Sequence, residues 1–177
     1  MFRKITFMKT TLGVFENHTV AEHALNELRA FGVAEADLSY VFMNVQGEVV
    51  DSQTNGKVNQ GSSSGAMTGA VVGALAGLVA ANIILPGVGT LFVAGPLAAM
   101  LGVTGTVATA VAGATVGVVT GGLIGALVNF GVSDTDASFF EVLVHQGDVL
   151  IVARTPALNT REVFERSGAK EIREYSQ

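Results

Sequence analysis

Residues able to do chemistry are few in this chain, and their spacing is poor. "GSSSG" (61–65) places Ser63 in a G-x-S-x-G frame, and Asp134 and His145 follow in the chain order of α/β-hydrolase triads. That frame works only where a strand enters a sharp turn before a helix in a large parallel sheet. The preceding "DSQTNGKVNQ" is polar and the chain is too small for such a sheet, so a flexible linker is the favoured reading. His18 and His23 stand five apart, off the i, i+4 spacing that sets two ligands on one helix face, and read as solvated positions near a helix start. Glu22, Glu27, Glu141, Glu162 and Glu165 fall on expected helices, where carboxylates face water unless a cleft gathers a pair for acid and base work. "GVG" (87–89) lacks the third glycine and the strand-turn-helix setting of a dinucleotide fingerprint, so a turn is expected there. The 177 residues include no cysteine, which excludes disulfides and thiolate metal sites. The expectation is a non-enzyme with no catalytic residue, cofactor or metal.

What the sequence does repeat is glycine. Gly65, Gly69, Gly73 and Gly77 recur at every fourth position, and Gly113, Gly117, Gly121 and Gly125 do the same further on. Steps of four advance about 400° around a helix, so each set forms a ridge inclined to the axis. Such ridges let helix backbones approach closely in small-xxx-small contacts. A mid-helix glycine costs about 1 kcal/mol relative to alanine, so eight of them in register imply packing that offsets the cost.

The ridges lie in an unusual stretch. From Val58 to Ser133, 76 consecutive positions carry no Asp, Glu, Lys, Arg or His, and the whole chain is only 14% charged. Ala66 to Ile84 would reach about 28 Å as a helix, close to the roughly 30 Å of a bilayer core. "LPGVGT" breaks it, Pro96 interrupts "LFVAGPLAAML", and Val103 to Phe130 is long enough for a second helix. The predicted insert, 58–131, is a glycine-zipper helical hairpin that crosses a membrane twice or is buried between subunits.

The flanking arms must supply the folded domain. In residues 11–57, "TLGVF" reads as a strand, "TVAEHALNELRAFG" as a helix with a Thr19 and Glu22 capping box and Gly32 at its end, and "DLSYVFMNV" as a central strand. In residues 132–177, Ser133 and Asp136 cap a helix over 134–147 in which adjacent Phe139 and Phe140 cannot share one core. "DVLIVAR" is a strand, Pro156 opens a helical turn, "NTREVFERSG" is a helix and "KEIREYS" is a last strand. Two strands alone are marginal, so the β-α-β and α-β-α-β arms are expected to combine into a four-stranded, split ferredoxin-like α+β sandwich with its helices on one side.

"GVFENHTVAEHALNELRAFGVAEADLSYV", the glycine-rich insert and "FFEVLVHQGDVLIVAR" together resemble the bacterial general stress protein family, the heat- or low-temperature-induced type. The resemblance covers most of residues 11 to 155 and implies a stress-associated, non-enzymatic role with no active-site residues to transfer. A formal charge of −5 without a basic cluster argues against nucleic acid. The start, "MFRKITFMKTTLGVFE", has no apolar run of signal-peptide length. The expected function is a stress-associated membrane protein that forms a homo-oligomer through its glycine ridges. All its Lys and Arg flank the insert, which places the domain on the cytoplasmic side. The alternative is a soluble, cytoplasmic scaffold or shell protein with the hairpins buried between copies.

Overall fold

The computed structural model describes residues 8–44, 80–85, 89–101, 122–156 and 159–176 of the chain. Its organising element is the strand "VLIVART", β5 (Val149–Thr155), in which every residue except Arg154 is buried. A strand that is apolar on both sides must be covered on both faces. Val149, Ile151 and Ala153 enter one core, while Leu150 and Val152 enter another on the opposite face.

Around it the chain forms an α+β unit with a six-stranded antiparallel sheet in the order β3-β4-β2-β5-β1-β6. The other strands are β1 (Lys9–Phe15), β2 (Leu38–Asn44), β3 (Ala80–Leu85), β4 (Gly89–Ala94) and β6 (Glu171–Ser176). Among the described residues five α-helices accompany them: α1 (His18–Ala30), α2 (Pro96–Met100), α3 (Gly122–Asn129), α4 (Asp134–His145) and α5 (Thr160–Arg166). Strand β5 pairs with β1 through Leu12↔Val152 and with β2 through Tyr40↔Ile151, so both N-terminal strands flank one C-terminal strand. The four strands of the two arms therefore occupy consecutive places, β2-β5-β1-β6.

Helices cover both faces, where the sequence suggests one. Leu25 and Leu28 of α1 and Phe164 of α5 pack with Phe15, Tyr40 and Ile151. On the other face, Leu97 of α2, Leu127 of α3 and Phe140 of α4 pack with Leu12, Val41, Leu91 and Leu150. Helix α4 is thus the third side of a helix-sheet-helix stack, opposite α1 and α5.

The insert departs from the expected hairpin within its described residues. Ala80–Leu85, expected as the end of a helix running from Ala66, is a strand paired with Gly89–Ala94 from Leu85↔Gly89 to Ala80↔Ala94. Gly89, the last residue of "GVG", opens β4, and residues 86–88 lie outside the described residues. Residues 91–101 and 122–130 contribute Leu91, Val93, Leu97, Leu123 and Leu127 to the same core as the arms, so this part of 58–131 is continuous with the domain.

Two polar bonds fix it there. The Ser39 hydroxyl of β2 accepts from Leu97 N at 3.1 Å, capping α2, and the Thr10 hydroxyl of β1 donates to the Phe130 carbonyl at 3.0 Å. Both are buried, where an unpaired group would cost about 1–3 kcal/mol. Between β4 and α2, Gly95 has φ +85°, and a Cβ there would lie 2.0 Å from the Leu38 carbonyl oxygen. Only glycine meets both demands.

Helix boundaries lie within a few residues of expectation, with one cap reassigned. Asn17, two residues ahead of the expected Thr19, caps α1 by accepting from Val20 N at 3.0 Å. Ser133 caps α4 by accepting from Asp136 N at 3.2 Å, as its spacing suggests. Pro156 lies in a bend ahead of α5 instead of opening it. In β1, a Cβ on Gly13 would lie 2.6 Å from the Phe164 ring. Gly13→Ala is therefore expected to lower stability by about 1–3 kcal/mol, read as a drop in the urea midpoint at unchanged slope.

Candidate functional site

Three places in the described structure gather polar or exposed groups. The first lies at the start of α1. His18 is half-buried, with its Nδ1 2.9 Å from the Tyr40 hydroxyl and its ring edge-on to Phe42 at a centroid distance of 4.3 Å. Phe42 stacks in turn on Phe92 at 4.6 Å, tying β2 to β4. Burial pushes the Tyr40 hydroxyl well above its ordinary range, with Glu22 adding to the shift, and burial lowers the His18 imidazole. His18 is therefore a core-edge group and not the solvated position expected; His23 is exposed. The sequence concealed the contact because Tyr40 lies 22 residues away on another element.

The second place joins α4 to β6. Asp136 accepts from Tyr175 Oη at 2.7 Å and from Ser133 Oγ at 2.7 Å, and its other carboxylate oxygen meets Arg173. The Tyr175 and Ser133 bonds hold the Asp136 carboxyl below the usual carboxylate range, while burial raises Tyr175. Arg173 also reaches Glu171 at 3.0 Å and lies over the Phe139 ring. Every charge here has a fixed opposite charge beside it, which suits anchoring more than proton transfer.

The third is a cleft of about 320 Å³ between the end of α1 and the start of α5. Its apolar wall includes Leu28, Phe31, Val33 and Val163, and its polar groups are Asn159 and Thr160. Among the described residues its lining offers no carboxylate, imidazole or amine.

The residues singled out in the sequence are not brought together as a site. Ser63 and the ridge glycines Gly65, Gly69, Gly73, Gly77, Gly113, Gly117 and Gly121 lie outside the described residues. Asp134 and His145 begin and end α4, about 16 Å apart at ~1.5 Å per residue, and so do not form a catalytic pair. Glu27 accepts from Ser167 Oγ at 3.1 Å, and Glu165 pairs with Arg161 at 2.7 Å. No group of three potential metal ligands occurs among the described residues. Phe140 is fully buried while Phe139 is 39% exposed, the division that adjacency requires.

Of the ridge, Gly125 alone can be placed. It is exposed on α3, and no described atom would lie within 4 Å of a Cβ there, whereas a Cβ on Gly122 would meet Leu101 at 3.2 Å. Among the described residues the close contact thus falls on Gly122, and Gly125 meets none. Gly125→Ala should stabilise the isolated chain by up to about 1 kcal/mol in denaturant titration, because no described atom lies within 4 Å of the added methyl.

A second prediction concerns His18. Its folded value lies below the ordinary 6.5, so the unfolded chain binds the proton more readily. The contribution is present above pH 6.5 and is lost as pH falls through the folded value. Denaturant midpoints should drop between pH 7.5 and 5.5, and His18→Gln should flatten that slope.

Comparison of the chain with family models, with curated proteins and with solved structures found no match.

Proposed function

We propose that this chain is a non-enzymatic, stress-associated protein that assembles with itself through its glycine-ridged segments and displays the α+β domain around them. The order β2-β5-β1-β6, with α1 and α5 on one face, supports a ferredoxin-like reading of the two arms, extended by β3, β4 and three further helices. The resemblance to bacterial general stress proteins supports the stress association.

The observation that carries the self-assembly reading is that Asn44 and Ala80, which bound residues 45–79, and Leu101 and Gly122, which bound residues 102–121, all lie in elements of one domain or at their ends. Each of these two segments would therefore have to cross a bilayer an even number of times. The apolar part of the first, Ala66 to Val79, would reach about 21 Å as a helix, and residues 102–121 would reach about 30 Å. A crossing needs about 30 Å, so neither segment is long enough to cross and return. No helix among the described residues is long and apolar enough to cross a membrane. Packing of the ridges against other copies accounts for the glycine spacing without any crossing.

The 76 uncharged positions favour a second reading, in which these segments dip into or lie on a bilayer with the domain on the cytoplasmic side. Two measurements separate the alternatives. Gly73→Leu combined with Gly117→Leu should reduce the assembly to smaller species by native mass measurement, and an unchanged size would refute the ridge contact. Untagged protein should remain dense on a lipid gradient and soluble without detergent; flotation with vesicles would favour the membrane reading.

A further inference from the structure

Strand β6 pairs with β1 on one side and, among the described residues, with no strand on the other. Such an edge is a template for another strand unless its side chains prevent pairing. The Val14 carbonyl accepts from Lys170 N at 2.7 Å, so Val14 turns its backbone groups toward β6. With Val14 opposite Glu171, alternation points the backbone groups of Glu171, Arg173 and Tyr175 at β1 and those of Ile172 and Glu174 outward.

The sequence of this edge, "KEIRE" (170–174), is complementary to its own reverse. In a symmetric antiparallel pair, directly opposite residues share a face, so the two-fold axis must pass through a residue. An axis through Glu171, Arg173 or Glu174 sets that charge against its own copy, which is destabilising. An axis through Ile172 sets Glu171 against the partner's Arg173 and Lys170 against the partner's Glu174. Each pairing occurs twice, and no like charges oppose one another.

The side chains are also positioned for this. Arg173 is held by Asp136 and Glu171, Lys170 by both oxygens of Asp148 at 2.9 and 3.0 Å, and Glu174 by Lys9 at 2.8 Å. Arg173 and Lys170 still keep 40% and 49% of their side chains exposed, leaving donors free for a second acceptor. The half-exposed Phe139 ring, under Arg173, adds apolar surface beside the same edge.

We propose that β6 is a self-association surface, joining two copies of this chain edge to edge in antiparallel register with the two-fold axis through Ile172. The contact uses none of the ridge glycines.

Because the chain has no cysteine, a single introduced thiol reports its own neighbours. At the axis, opposite Cα atoms lie about 5.5 Å apart, inside the disulfide range, whereas two copies of position 174 are about 13 Å apart. Full-length Ile172→Cys should form disulfide-linked dimers readily under mild oxidation, and Glu174→Cys, whose copies lie beyond disulfide reach, should form them far more slowly. Equal rates, or no dimer from Ile172→Cys, would overturn the proposal.

In the Ile172→Cys background, Glu171→Arg and Arg173→Glu should each slow cross-linking when alone. Mixed, they should restore it as a mass-identified heterodimer, since Arg then faces Glu at every contact. Failure of the mixture to recover would also overturn the register, and Lys170→Glu mixed with Glu174→Lys provides the same test without touching Asp136. Cross-linking should persist when Gly73→Leu and Gly117→Leu are added; its loss there would refute an edge contact independent of the ridges.

Discussion

The placement of β5 between β1 and β2 is the constraint on which the rest of this molecule depends. Leu12 sits opposite Val152 and Tyr40 opposite Ile151, so the N-terminal arm cannot complete its own sheet without a strand more than a hundred residues away. The entropy of closing so long a loop grows only with the logarithm of its length, so the separation costs little more than a shorter one would. What it demands is that the intervening chain begin and end at the same sheet.

Because β5 is apolar on both faces, the sheet needs two covers, and the arms supply only part of them. Helices α1 and α5 close one side, while on the other α4 packs on β2 and β5 and does not reach β4, which carries Leu91 and Val93. Part of the insert fills that gap. Leu123, Ala126 and Leu127 of α3 present one face at helical spacing, and α2 contributes Leu97. The Thr10 to Phe130 and Ser39 to Leu97 bonds then align helices from the insert with strands from the N-terminal arm. Lost burial of these groups would expose both polar and apolar surface, which ties the insert's fold to that of the arms.

Most of the arms was legible because local signals agreed there. The run Ala21, Ala24, Leu25, Leu28 has helical period, Ser133 precedes Asp136 at cap spacing, and "DVLIVAR" is flanked by turn residues. The misread elements lack such agreement. "AANIIL" is apolar without a diagnostic period, so only its pairing with β4 identifies it as a strand. The Thr19 and Glu22 spacing fits a capping box, but the hydrogen bond from Val20 N to the Asn17 side chain makes Asn17 the cap. The side of the sheet that α4 covers depends on tertiary packing, which no local pattern encodes. The His18 and Tyr40 contact was hidden for the same reason.

The charged edge and the glycine ridges solve opposite problems of recognition. A ridge of small residues accepts any helix that can come close, so its selectivity comes from shape. The "KEIRE" edge presents alternating charge that opposes most foreign strands while fitting its own reverse, so it combines protection with self-recognition. The two proposed self-contacts, taken together, would set the symmetry of the assembly. If each is a two-fold contact, intersecting axes at a suitable angle close the assembly into a dihedral ring, and axes that do not meet propagate it as a fibre or sheet. The angle between the β6 edge and the ridge segments, more than the strength of either contact, would therefore decide whether the protein forms a bounded particle or an extended layer.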